Sequence, residues 1–214
     1  HLVIVQKFFN MSPPIFLDVF LHIGTLIVIL IVFRQDLREI LNAIIHLNLK
    51  TEHGKLALLT IVGSIPTAAI GFVFKDLFES LFSNLLAVGA AFIITGCFLF
   101  VSERTKNGKA INYLDALLIV TAQGIAIIPG ISRSGATITT ALIRKLGKET
   151  AYKFSFLVYM PAVIGATIVT ASESKNLTFN VDVLSLLFGL VVTVVVSFVS
   201  IKLLRKIVLE VKFD

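Results

Sequence analysis

Apolar residues in this chain come in long blocks instead of alternating with polar ones. Five blocks approach the roughly 20 residues that a helix needs to cross a hydrocarbon core. They lie at about 16–33, 56–74, 85–101, 154–171 and 183–201. The first carries Asp18 near its start, where the positive helix end favours an acidic group at the interface, and His22 inside. No second ligand stands three or four residues from His22, so it reads as a hydrogen-bonded packing residue. The second block is interrupted by Gly63 and Pro66 and the fourth by Pro161 and Gly165, and both helices are expected to break there. The third holds Gly89, Ala90, Ala91 and Gly96, small residues that let helices approach closely. Residues 2–12 are apolar but too short to span, and Pro13-Pro14 interrupts the chain after them. The connector at 34–55 mixes charges of both signs and is expected to be a solvated amphipathic link. The pattern predicts an all-α integral membrane protein, a polytopic helix bundle forming one transmembrane domain over 1–214.

The apolar stretch at 113–146 behaves differently. Excess Lys and Arg mark cytoplasmic loops, and the basic loops are 34–55, 102–112, 144–153 and 202–212. The loops at 75–84 and 172–182 are poor in basic residues. Alternation holds across the first three spans and then requires both ends of 113–146 on the same side. One span cannot do that; a re-entrant hairpin can, with a turn at Pro129–Gly135 and a second helix beginning near Ala136. Non-helical backbone at membrane depth is tolerated only where protein or a watered cavity surrounds it. There is also an internal echo: Pro66-Thr-Ala-Ala-Ile-Gly71 is similar to Pro161-Ala-Val-Ile-Gly165. Interrupted helices in corresponding places suggest inverted repeats, a device that builds sites near the bilayer midplane.

Composition sharpens this. Hydrophobic residues make up 57% of the 214 and charged residues only 15%, against about 25% charged in soluble domains; the mean hydropathy is +0.96. The net charge of +6 follows from cytoplasmic loops, so membrane lipids and not nucleic acid are the expected surroundings. The one cysteine, Cys97, excludes an internal disulfide and reads as a small lipid- or core-facing residue. No charged segment and cleavage site precede an apolar core, so no signal peptide is read. The chain starts at His1 without an initiator methionine and is expected to be a trimmed piece.

The chemistry concentrates at the hairpin tip. Between Ala116 and Ile143 the only charged side chain is Arg133. A buried arginine there costs roughly 2.5–3.5 kcal/mol on insertion scales, and no carboxylate within 116–148 can neutralise it. Around it stand Gly130, Ser132, Ser134, Gly135 and Thr137. Small residues let backbone N–H groups converge on an anion, and a helix start turns its positive end to the same point. The guanidinium can fork onto two phosphate oxygens, and the hydroxyls add donors. The residues thus describe a phosphate site reached from within the membrane. They do not decide between an enzyme and a transporter, because bases are scarce: His22 and His1 are the only histidines in apolar context.

The string Gln123-Gly-Ile-Ala-Ile-Ile-Pro-Gly-Ile-Ser-Arg-Ser-Gly-Ala-Thr137 resembles the second signature of the undecaprenyl-diphosphatase (bacitracin-resistance) family. Asp18-Val-Phe-Leu-His-Ile-Gly-Thr25, Ile65-Pro-Thr-Ala-Ala-Ile-Gly71 and Phe154-Ser-Phe-Leu-Val-Tyr-Met-Pro-Ala162 share its texture, so the resemblance covers nearly the whole chain. It implies two inverted repeats, each with a hairpin, meeting in a cavity open to the extracytoplasmic side of the plasma membrane. His1-Leu-Val-Ile-Val looks like the end of a Ser-Ser-x-Gly-His string whose serines and preceding glutamates would lie before His1, and a last spanning helix is expected after Asp214. Arg133 would then grip the diphosphate with help from Ser132 and Thr137, and His1 would be catalytic as base, acid or phosphate donor. A serine before His1, and not Ser132, is the nucleophile this implies. Gln123 takes a position that a glutamate holds in the other repeat, and reads equally as substrate-contacting or structural. The implied reaction is hydrolysis of a polyprenyl diphosphate to the monophosphate and orthophosphate, recycling the lipid carrier of cell-wall glycan assembly. A divalent cation, Mg or Ca, is implied as cofactor, and a homodimer is among the assemblies admitted. A phosphorylated-lipid carrier or flippase is the alternative.

Overall fold

The computed structural model describes residues 4, 8–9, 15–48, 51–102, 108–173 and 183–210. Among these residues every extended element is a helix: α1 (Ile15–Val32), α2 (Arg34–Ile45), α3 (Glu52–Val73), α4 (Lys75–Ser83), α5 (Leu85–Ser102), α6 (Tyr113–Ile125), α7 (Arg133–Ile143), α8 (Lys148–Glu173) and α9 (Val183–Glu210). Three of them, α3, α8 and α9, are long and apolar enough to cross a membrane outright, and the count reaches five when each of two bent pairs is one span. The protein is an all-α membrane protein. Its outward surface carries large apolar side chains such as Leu86, Ile93 and Phe100 of α5 and Phe188, Val191 and Val195 of α9, which only lipid or protein can cover without cost.

Several boundaries differ from the sequence pattern for local reasons. The 34–55 connector contains α2, bent by 79° against the preceding helix. It buries Ile40 and Ala43 and turns Arg34, Arg38 and Glu39 outward. The loop at 75–84 is itself the short helix α4. Pro66 and Pro161 lie inside α3 and α8, which run on through them; one lost backbone bond is tolerated where neighbouring groups and apolar packing hold the helix. The helix breaks expected at these prolines are therefore absent. α9 continues to Glu210, past the apolar block, carrying Lys202, Arg205 and Lys206.

The chain divides into two compact units. In the unit holding residues 13–57 and 159–211, α1 packs along α9. The register is fixed by small residues: Leu21 meets Gly189, Gly24 meets Leu190 and Thr193, and the Thr25 and Ser197 hydroxyls share a 3.0 Å hydrogen bond. The contacts advance together along both helices, so α1 and α9 run parallel. His22, expected to be a hydrogen-bonded packing residue, stands on an exposed position of α1.

In the unit built on residues 58–158, α3 and α6 are also parallel. Gly63 faces Val120, Ile70 faces Gly124, and Gly71 faces Ile127. A Cβ on Gly124 would stand 2.6 Å from Ile70 Cδ1 and one on Gly63 2.8 Å from Val120 Cγ1, so these glycines set the spacing of the two helices. α7 packs against both α6 and α5. Val88, Ala91 and Thr95 of α5 meet Gly130, Ser132 and Gly135 in ascending order. Ala91 serves this contact, whereas a Cβ on Gly89 or Gly96 would meet nothing within 4 Å. Cys97 is exposed. Each of these helix directions is the one that alternation of the basic loops requires.

Candidate functional site at the hairpin tip

The hairpin begins with a capping box. Asn112 Oδ1 accepts from Asp115 N at 2.8 Å, and Asn112 N donates to Asp115 Oδ2 at 3.2 Å, which satisfies two of the donors that a helix start leaves open. α6 ends at Ile125, four residues before Pro129, and hands over to a run of tight turns: Ile127 N to Gly124 O, Ile128 N to Ile125 O and Ile131 N to Ile128 O, at 3.1–3.2 Å. Pro129 is buried. Gly130 follows at φ +99°, the region that only glycine enters cheaply. Its α-carbon also faces the Val88 carbonyl so closely that a Cβ would lie 2.4 Å from that oxygen.

α7 starts at Arg133, three residues earlier than the composition suggested, because Ser132 is its cap. Ser132 has extended backbone (φ −73°, ψ 115°) and its hydroxyl accepts from Gly135 N at 3.1 Å. Ala136 N closes the first turn on Ser132 O at 2.8 Å. Ser132 N donates to Thr95 Oγ1 at 3.3 Å, which fixes the tip on α5. Arg133 is thus the first residue of a helix and Ser134 the second. The positive end of α7 and residue 133 therefore coincide at the tip. Ser132, Arg133, Ser134, Gly130 and Gly135 are all partly exposed.

Two expected members of the site are placed otherwise. Thr137 is 1% exposed, and its hydroxyl donates back to Arg133 O (3.0 Å) and Ser134 O (3.2 Å). A hydroxyl has one proton, so Thr137 secures the first turn of α7 and does not present a donor to an anion. Gln123 is likewise 1% exposed. Its Nε2 donates to Val158 O at 3.1 Å and reaches Thr67 Oγ1 at 3.4 Å, while Thr67 Oγ1 donates to Val120 O at 2.8 Å. Of its two readings, the geometry supports the structural one: Gln123 links α6 to α3 and α8. Its Oε1 is buried without a hydrogen-bond partner. His1 lies outside the described residues.

The base of the hairpin holds the feature that sequence reading missed. Asp115 is 0% exposed and receives Lys109 Nζ at 2.8 Å to Oδ2 and Arg144 Nε at 2.8 Å to Oδ1. It lies outside the five spans. Burial pushes its carboxyl up, but the hydrogen bonds from Lys109, Arg144 and Asn112 outweigh that and hold it below the usual carboxylate range. The signal was available as Asn112-x-x-Asp115 at a helix start, but the partners are 6 and 29 residues away in sequence. Among the described residues no group of three or more His, Cys, Asp or Glu could hold a metal ion.

The whole chain, residues 1–214, matches the family described as bacitracin resistance protein BacA. An undecaprenyl-diphosphatase from Carboxydothermus hydrogenoformans is 39% identical over 216 residues, covering 97% of this chain and 79% of its own length. One from Halothermothrix orenii is 38% identical over 210 residues, covering 95% and 79%, and one from Desulforapulum autotrophicum 38% over 223 residues, covering 96% and 81%.

Proposed function

The chain belongs to the bacitracin resistance protein BacA family, and from that premise we propose that the hairpin tip is the diphosphate-binding half of an undecaprenyl-diphosphatase site. The protein is a membrane hydrolase that converts undecaprenyl diphosphate to the monophosphate and orthophosphate, the step that returns the lipid carrier to cell-wall synthesis. One observation carries the assignment of the site: Arg133 opens α7, capped by Ser132, in a stretch with no other charge between Ala116 and Ile143. The guanidinium takes two non-bridging oxygens, and the helix start adds its partial positive charge. Both become more favourable as the bond from the terminal phosphorus to the bridging oxygen breaks and charge grows there. Water supplies the oxygen that completes orthophosphate, and the bridging oxygen leaves with the monophosphate.

Ser132 is a cap and a backbone anchor in this arrangement, which agrees with assigning the nucleophile elsewhere. His1 remains the candidate for proton or phosphoryl transfer. The site opens to the extracytoplasmic side, and the hairpin ends face the cytoplasm. The described residues offer no ligand set for the divalent cation that the resemblance implied, so no step is routed through it; chelation by EDTA and restoration by Mg or Ca would establish the requirement. A homodimer remains a proposal for cross-linking to test.

The test is orthophosphate release from undecaprenyl or farnesyl diphosphate by the full chain in detergent. Arg133→Lys keeps the charge but loses the fork and should lower turnover by about 10²-fold, the scale of one lost transition-state donor. Release unchanged by Arg133→Ala would remove Arg133 from the site. No release by the wild type with Mg or Ca present would favour a carrier of phosphorylated lipid.

A further inference from the structure

The base of the hairpin is closed by two kinds of bond between segments far apart in sequence. Lys109 N donates to Lys145 O at 3.1 Å, and residues 109 and 146 pair as an isolated bridge. Beside that pairing, buried Asp115 receives Lys109 from the segment leading into α6 and Arg144 from the end of α7. α7 presents this end by a defined terminus: Lys145 N bonds Leu142 O at 2.8 Å and Leu146 N bonds Ala141 O at 3.0 Å, with Lys145 at φ +65° and Leu146 buried. This is the paired 5→2 and 6→1 closure of a helix C-terminus. It aims Lys145 O at Lys109 and brings the Arg144 side chain to Asp115.

We propose that the Asp115–Lys109–Arg144 cluster is a clasp that sets the register of α6 against α7, and through it the position of Arg133 at the tip. The proposal rests on the reading of Arg133 as the diphosphate-binding group. α6 and α7 are both unbroken from base to tip. At 1.5 Å per residue the clasp lies roughly 15–20 Å from the tip, so it touches no substrate: Asp115 is a positioning residue. Two rigid helices transmit a slip at one end to the other. A misplacement of about 1 Å at a reacting centre can cost on the order of 10²-fold in rate. A carboxylate suits the task because it alone can accept from a lysine, an arginine and a backbone N–H together. The covalent chain does not supply this restraint, since 28 residues separate Asp115 from Arg144.

The structure supplies its own test. A Cβ built on Gly147 would stand 3.8 Å from Gly108 Cα, and one on Gly108 would meet nothing within 4 Å. A disulfide between Gly108→Cys and Gly147→Cys, in a Cys97→Ser background, joins the same two segments and can replace the clasp. Asp115→Asn in the full chain should lower kcat for orthophosphate release at least about tenfold, with KM changed less. The oxidised disulfide should return kcat to within about threefold of wild type, and reduction should remove the gain. Arg144→Gln serves as the second variant should Asp115→Asn fail to fold. The surface pair Lys153–Glu149 gives the control, Glu149→Gln, with no change. Wild-type kcat in Asp115→Asn, or a fully formed disulfide that restores nothing, overturns the proposal. A second measurement needs no substrate: the rate of 108–147 disulfide formation should fall when Asp115 is Asn. An unchanged rate also overturns the clasp. Failure of wild-type turnover, by contrast, overturns the assigned reaction and leaves this second measurement standing.

Discussion

Replacing Gly130 by alanine perturbs the tip in two separable ways. The backbone stands at φ +99°, where an L side chain costs about 1–3 kcal/mol. The added Cβ would also lie 2.4 Å from Val88 O and 2.9 Å from Ala91 Cβ, about 1 Å inside ordinary contact. Both are held by α5, and the nearer atom is backbone, which cannot rotate away. Overpacking of that kind costs about 1–3 kcal/mol, so Gly130→Ala should lose about 2–6 kcal/mol in all. At about 2–4 °C per kcal/mol for a chain of this size, the melting midpoint should fall by about 4–24 °C. α5 contains the matching control. A Cβ on Gly89 would meet nothing within 4 Å, and alanine in a helix interior gains about 0.5–1 kcal/mol over glycine, so Gly89→Ala should raise the midpoint slightly. The measurement is fluorescence-detected size-exclusion survival after heating, on tagged protein in detergent, with orthophosphate release followed in parallel. Gly130→Ala should lose turnover even in the fraction that stays folded, because Ser132 and Arg133 move with residue 130. A wild-type melt and wild-type turnover for Gly130→Ala would refute the account of the tip as a turn seated on α5.

Other substitutions separate the roles within the site. Thr137→Val removes a hydroxyl already committed to helix carbonyls, so stability should change by less than about 1 kcal/mol and turnover by less than about fivefold; a hundredfold loss would show the hydroxyl acting on the substrate. Gln123→Leu deletes the link to Val158 O together with the unpartnered Oε1, so a cost of about 1–2 kcal/mol is expected, with turnover of the folded protein retained. A collapse of turnover at unchanged stability would instead place Gln123 against the substrate. The clasp also has a pH signature. The folded Asp115 carboxyl is held below the usual range, so its stabilisation is complete above the ordinary carboxylate value of about 3.9 and is lost as pH falls below that value toward the folded one. Melting midpoints of wild type and Asp115→Asn should therefore differ at pH 7, and the gap should narrow as pH falls below about 3.9; a gap that does not narrow there would contradict the pairing.

The five apolar blocks coincide with the long helices α1, α3, α5, α8 and α9, while α2 and α4 formed in segments read as connectors. The hairpin was legible from charge alone, since both flanks of 113–146 are basic. The turn before Arg133 was also legible, since its residues are small enough to turn. These properties are local, and local properties survive in a linear reading. Continuity through Pro66 and Pro161 was not legible, because a helix loses one bond at proline and neighbours decide whether that breaks it. The roles of Thr137 and Gln123 were not legible either, because a hydroxyl or amide names a donor without saying which acceptor is near. The same holds for Asp115, whose charged partners come from both ends of the hairpin and meet only after α6 and α7 fold back. Hydropathy and charge, then, determined the membrane class, because they act on each residue through its solvent. Only the tertiary structure decided which polar groups hold the scaffold, because a hydrogen bond is a property of two groups brought within about 3 Å.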